Sequence, residues 1–196
     1  MRLLVAVAFG SLLISPMSGT DIERAQSLSR ARESERQQFH RRYVIDLPHP
    51  VVTQIEVTTE FRRLVLIAEE HVLRGDFMFT RSLRAAEAAL APTRGLITIR
   101  AQLRFNPLNT FIEPPPYAIA VGTPATAQLE AVVTQAAPQF SVPFKSKDGR
   151  TLSSLIGATL EATLPAARMG QSARTIAVTL DGREIAQTTV DFARLE

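Results

Sequence analysis

The sharpest pattern of apolar and polar positions runs from Leu96 to Phe105, where Ile97, Ile99, Ala101, Leu103 and Phe105 alternate with Thr98, Arg100, Gln102 and Arg104. Successive side chains of a strand point to opposite faces, so this alternation predicts a strand with one buried and one wet side, as in an antiparallel sheet. Tyr43 to Leu47 and Val51 to Val57 read as two earlier strands around Pro48-His49-Pro50, the second with Thr53, Ile55 and Val57 on one side. From Thr58 or Thr59 the period changes, and either threonine can cap a helix. Phe61, Leu64, Val65, Ala68 and Val72 recur at helical spacing behind a threonine suited to capping, and predict an amphipathic helix to Arg74. Gly75 suits the left-handed position that ends a helix, Asp76 can cap the next one, and Phe79, Leu83, Ala86 and Leu90 form a second stripe. So short a turn predicts an antiparallel helical hairpin over 59–91.

Beyond the long strand, Asn106-Pro107-Leu108-Asn109 is turn chemistry that would return Thr110 to Ile112 beside it. Tyr117 to Val121, Ala127 to Thr134, Phe140 to Phe144, Gly157 to Leu164 and Arg174 to Phe192 read as extended, interrupted by Pro138, by Lys147-Asp148-Gly149 and by Pro165 to Gly170. The last segment folds back at Asp181-Gly182. A two-residue loop there would put Ile176 and Val178 on a face with Arg183, Gln187 and Asp191, whereas a three-residue loop with Gly182 in a bulge groups them with Ala186, Thr188, Val190 and Phe192. The second arrangement separates core from solvent, and the three-residue bulged loop is the expectation.

The N-terminal part differs. Met1-Arg2 precedes the uncharged stretch Leu3 to Ile14, and small and polar residues follow at Ser15, Ser18 and Gly19. This is the three-part pattern of a secretory signal peptide, read over 1–19. Twelve residues rise about 18 Å as a helix against a hydrocarbon core of about 30 Å, so cleavage and release are favoured over a permanent span. Asp21 to Arg42 carries six Arg against four acids with few apolar residues, and 20–42 reads as a charged helical or disordered arm, hardly buried. A sharper reading makes Arg36, His40, Arg41 and Arg42 a basic patch for anionic lipid or polymer. The remainder, 43–196, reads as one β-rich domain.

Composition narrows the chemistry. The chain lacks cysteine, which excludes disulfides, thiol nucleophiles and Cys-ligated metal centres. The net charge of +3 arises from 22 basic and 19 acidic residues, nearly all the basic ones Arg, so the surface is nearly balanced and nucleic acid is not an expected partner.

Short patterns have structural explanations. Arg74-Gly75-Asp76 matches an adhesion tripeptide but serves the helix-helix turn, and Pro114-Pro115-Pro116-Tyr117 matches a WW-domain ligand but also breaks a strand. Glu69-Glu70-His71 lacks the four-residue spacing of a helical zinc site, and His40 and His49 are remote in sequence, so no metal or cofactor is expected. Ser153-Ser154 has no neighbouring base, and Gly170 and Gly182 sit in isolated turns. Asp46, Glu56 and Glu113 are candidate paired carboxylates for hydrolysis. Arg100 and Arg104, about 13 Å apart on one strand face with Gln102 between them, are the candidate binding residues for an anionic partner.

The sequence therefore predicts an α+β, mainly antiparallel β-sandwich-like domain with an N-terminal helical arm and a packed helical hairpin. The functional expectation is an exported, noncatalytic interaction or structural protein, secreted or periplasmic, of a bacterial envelope or extracellular space. Its partner would be another envelope or extracellular protein. The alternatives are an extracytoplasmic hydrolase using paired carboxylates and a membrane-surface binder acting through the basic arm.

Overall fold

Met17 and Ser18 already belong to the folded body: Met17 packs on the helical core and Ser18 caps the first helix. The computed structural model describes residues 17–124, 128–145, 148–149, 151–170 and 172–195. Helix α1 (Gly19–Leu28) opens with a capping box, Asp21 N donating to Ser18 Oγ at 3.2 Å and Ser18 N to Asp21 Oδ2 at 3.3 Å. The expected targeting segment thus ends inside a helix; its apolar stretch, 3–14, lies outside the described residues.

The arm is not a solvated appendage. Ile22 and Ala25 are buried against helix α3 (Glu60–Leu73) and α4 (Leu83–Leu90). Gln26 is buried too, and its Nε2 donates to the carbonyls of Phe79 (2.9 Å) and Ser82 (3.2 Å) in the turn between α3 and α4, adding a second bond to oxygens that already accept from Ser82 N and Ala86 N. This buried amide, with Ile22 and Ala25 beside it, ties α1 to the turn in place of the longer apolar stripe whose absence made 20–42 look exposed. Helix α2 (Glu33–Arg41) fits the expectation better, since none of its residues is fully buried.

The helical hairpin forms, with a longer turn than expected. Thr59 caps α3, accepting from Arg62 N at 3.3 Å. Asp76 Oδ1 receives Phe79 N at 3.4 Å, starting a 3-10 turn (Phe79–Arg81), and Ser82 caps α4. Leu83 consequently leaves the second stripe and is exposed, while Phe79, Ala86 and Leu90 are buried. A fifth helix, α5 (Ala166–Met169), is a single turn.

The eleven strands are β1 (Val44–Asp46), β2 (Val52–Thr58), β3 (Leu96–Arg104), β4 (Tyr117–Gly122), β5 (Leu129–Ala131), β6 (Thr134–Phe140), β7 (Phe144–Lys145), β8 (Thr151–Leu152), β9 (Leu155–Pro165), β10 (Ala173–Leu180) and β11 (Arg183–Asp191). They form two antiparallel sheets, ordered β1-β2-β3-β9-β6 and β11-β10-β4-β5, with β7 and β8 as a separate ribbon. The chain is thus mixed α+β, with five helices and two main sheets among the described residues. One buried cluster draws Ile55, Val57, Ile99 and Leu160 from the first sheet and Ile119, Ile176, Val178 and Val190 from the second; the helices build a second cluster. Phe39 of α2 packs against both.

Strand β3 matches its pattern, with Ile97, Ile99, Ala101 and Leu103 all buried, and Phe105 buried just beyond it. Four other expectations are corrected. In β2 a register shift between Val52 and Gln54 leaves Thr53 half-exposed and turns Val52 inward, onto the same side as Ile55 and Val57. Thr110 to Ile112 form no strand, because Asn109 Nδ2 donates to Leu155 O at 2.7 Å and draws the loop toward β9. Strand β6 continues through Pro138, since it is an edge strand whose register points the proline nitrogen away from β9.

The terminal hairpin reaches the expected faces by the other route. Asp181 and Gly182 both take positive φ, 50° and 75°, and Leu180 lies opposite Arg183 in a two-residue turn. Ile185 is then an extra residue: Thr179 faces Glu184 and Val178 faces Ala186. The bulge sits in the strand rather than the loop, and it restores Ala186, Thr188 and Val190 to the face of Ile176 and Val178.

Candidate functional site

Arg100 and Arg104 do not form a shared cradle. The register sets Arg100 opposite Glu161, and Arg100 Nε donates to Glu161 Oε2 at 2.7 Å. Gln102 between them accepts from Thr159 Oγ1 at 2.9 Å. This is cross-strand pairing on a wet face, and Arg104 stands apart on it opposite Gly157.

The other sequence candidates also have structural partners. Glu56 is tied to Arg62 Nη2 at 2.6 Å, Asp46 accepts from Gln54 Nε2 at 3.0 Å, and Glu113 is exposed in the loop before β4, so the three acids do not gather in a cleft. The basic patch of the arm is divided. His40 Nε2 lies 3.0 Å from Glu69 Oε2 and Arg36 Nη1 lies 3.6 Å from Glu69 Oε1, fixing α2 to α3, while Arg41 and Arg42 stay exposed. His49 Nδ1 accepts from the amides of Val51 and Val52, and His71 stacks on Phe79 with Nδ1 at 2.8 Å from Asp76 Oδ2. That contact holds the Asp76 carboxyl below the usual carboxylate range. Arg74 pairs with Glu70, so all of Arg74-Gly75-Asp76 serves the helical turn. Ser153 Oγ donates to Ser141 O at 2.7 Å. Among the described residues no group of three or more His, Asp or Glu is placed to hold a metal.

What the sequence did not bring forward lies where the helices meet the β1 and β11 edges. A cleft of about 430 Å³ is lined by Arg24 and Leu28 of α1, Phe39 of α2, Arg42, Tyr43 and Phe61, with Arg194 from the C-terminal 3-10 turn (Phe192–Arg194). A second cleft of about 390 Å³ is lined by Ile45 of β1, by Thr189, Val190 and Asp191 of β11, and by Leu195. Arg42 and Arg194 line both, so the two are continuous in a trough with guanidinium groups at its middle.

The floor of the trough is set by sequence-local events. Tyr43, the last residue before β1, is 1% exposed, and its ring lies 5.0 Å from that of Phe39. Beneath it, Arg62 is 3% exposed, with its guanidinium carbon 5.0 Å from the Tyr43 ring and Nη1 donating to Val57 O at 2.6 Å. Burial lowers the Arg62 pKa against the opposing pull of Glu56, and burial raises that of the Tyr43 hydroxyl. Both residues are held by packing. The rim differs: Arg24 lies over the Phe61 ring at 4.5 Å, Arg194 is 84% exposed at 3.1 Å from Asp191, and Arg42 is exposed and makes no ion pair or side-chain hydrogen bond among the described residues. An aromatic and aliphatic floor beneath arginines suits a ligand with an apolar body and negative charge. The signal that could have located it, Arg42-Tyr43 beside Phe39, was obscured because the C-terminal Arg194 completes the site from across the chain.

No protein-family model, curated protein or solved structure matches this chain.

Proposed function

We propose that this chain is an exported, noncatalytic interaction protein of a bacterial envelope or extracellular space, with a β-sandwich-like body over 43–196 and its recognition site in the trough between α1, α2, β1 and β11. The observation that carries the reading is the composition of that trough. Three arginines surround an aromatic floor, and each cleft holds a single carboxylate, Glu35 in one and Asp191 in the other. Binding of an anionic partner needs such a lining, whereas hydrolysis by paired carboxylates needs two acids facing one another. Export is supported by the leader pattern of Met1 to Ile14. No helix of the described residues is long and apolar enough to cross a membrane.

Fractionation of source cells, N-terminal sequencing and in-cell cross-linking with peptide mapping test this. The expected result is a chain outside the cytoplasm without residues 3–14, cross-linked to a defined protein partner. A cytoplasmic chain that retains its leader, or one with no cross-linked protein, would contradict it. Because Ser18 caps α1, processing is expected to leave Ser18 in place.

A further inference from the structure

We propose that the partner enters as an extended segment alternating acidic and apolar residues, which adds as a strand to the free edge of β11 and sets its carboxylates against Arg42 and Arg194. This deepens the preceding reading and rests on it.

Three independent observations meet here. The first is backbone. Strand β11 is the terminal strand of its sheet. With Leu180 and Arg183 closing the hairpin and Ile185 shifting the parity, Ala186, Thr188 and Val190 turn their backbone groups toward β10. Gln187, Thr189 and Asp191 therefore turn theirs outward, and no backbone hydrogen bond ties those outward groups to a neighbouring segment among the described residues. Pairing through such groups is how an edge strand takes up an extended peptide. The bulge at Ile185 disrupts the hairpin half of this edge, so the usable part is the half that lines the trough.

The second observation is charge. Arg24, Arg42 and Arg194 outnumber Glu35 and Asp191 along the trough, and Arg42 lies where the two clefts join. The third is shape. Side chains alternate across a strand, so a segment with acids on one face presents its other face to the floor of Ile45, Val190 and Leu195. A compact anionic amphiphile would use the arginines and the floor but has no use for an unpaired strand edge, which is why a peptide is the favoured occupant.

The test is fluorescence polarisation of a labelled (Glu-Val)4 octapeptide on the purified protein, repeated with (Lys-Val)4, with octapeptides N-methylated on one alternate set of amides or the other, and with dodecanoate. The expected result is saturable binding of (Glu-Val)4 and none of (Lys-Val)4. One N-methylated set, and only one, should lose affinity by about tenfold or more. Arg42→Glu and Arg194→Glu, both at exposed positions, should each weaken binding about tenfold with an unchanged circular dichroism spectrum, while Arg100→Glu leaves it unchanged. Equal binding of the lysine peptide, indifference to both N-methylated sets, indifference to Arg42→Glu, or binding of dodecanoate without the peptide would each overturn the proposal. If the octapeptide fails while in-cell cross-links to a protein persist, the interaction reading stands and the trough assignment falls. If both fail, both fall.

Discussion

The two edges of the sheet pair are finished in opposite ways. At one, the chain passes from β5 of the second sheet into β6 of the first; Val132 N donates to Ile119 O at 2.9 Å and Ile119 N to Thr134 Oγ1 at 2.9 Å, so the two sheets are tied where the chain crosses. Strand β6 then carries Pro138 with no donor to offer. At the other edge β1 and β11 end their sheets with no crossing strand, and helices and arginines stand around the gap. One edge is blunted against pairing, and the other keeps both its backbone groups and its charge. The difference separates an edge built for stability from one suited to recognition.

The largest effect expected is on the support beneath the open edge. Arg62→Ala removes the buried partner of Glu56 and the group packed under Tyr43, and should cost about 3–5 kcal/mol in denaturant unfolding. A loss below about 1 kcal/mol would mean that Arg62 is dispensable to the floor. The sheet interior behind the blunted edge should prove rigid in its own way. A Cβ at Gly157 would meet Leu103 O at 2.3 Å, backbone that cannot yield locally, so Gly157→Ala is expected to destabilise by about 1–3 kcal/mol. Equal stability of this variant would show that β3 and β9 can separate there.

How much of this contrast was legible in the sequence follows from the range of the interactions. Strand β3, the helical hairpin and the faces of the last hairpin are fixed by periodicity, and periodicity is local. Gln26 bonding the Phe79 and Ser82 carbonyls spans more than fifty residues, and nothing in the sequence around Gln26 announces it. The extra residue at Ile185 is similar: the requirement that Ile176 and Val178 share a face with Val190 was readable, but a loop bulge and a strand bulge both satisfy it. The candidate site was missed because its cations come from α1, the α2–β1 junction and the C-terminal turn, whereas Arg100 and Arg104 stood out only by lying on one strand.

Smaller effects sharpen the comparison further. Ser18→Ala removes the cap of α1, which walls the trough, and should cost about 1 kcal/mol; a chain beginning at Thr20 should lose a similar amount. The floor should also show itself at high pH. The Tyr43 hydroxyl is raised by burial, so its neutral form is favoured by folding: the stabilisation is complete below the ordinary tyrosine pKa near 10 and is lost as pH climbs through the raised folded value. Ultraviolet titration of Tyr117→Phe, which leaves Tyr43 as the remaining tyrosine, is expected to give a midpoint above 10, and a midpoint at or below it would mean an open, hydrated floor. The least effect belongs to the sheet face: Arg100→Ala breaks an exposed pair with Glu161 and should change stability by less than about 1 kcal/mol.

The central claim is that the β1 and β11 edge receives an extended acidic segment through its own backbone. Amide hydrogen exchange of Gln187, Thr189 and Asp191, with and without saturating (Glu-Val)4, tests it most directly. Slowing of these outward-facing amides by about tenfold, while the amides of β6 are unaffected, is the predicted result. Unchanged exchange on β11 in a complex that has formed would contradict it.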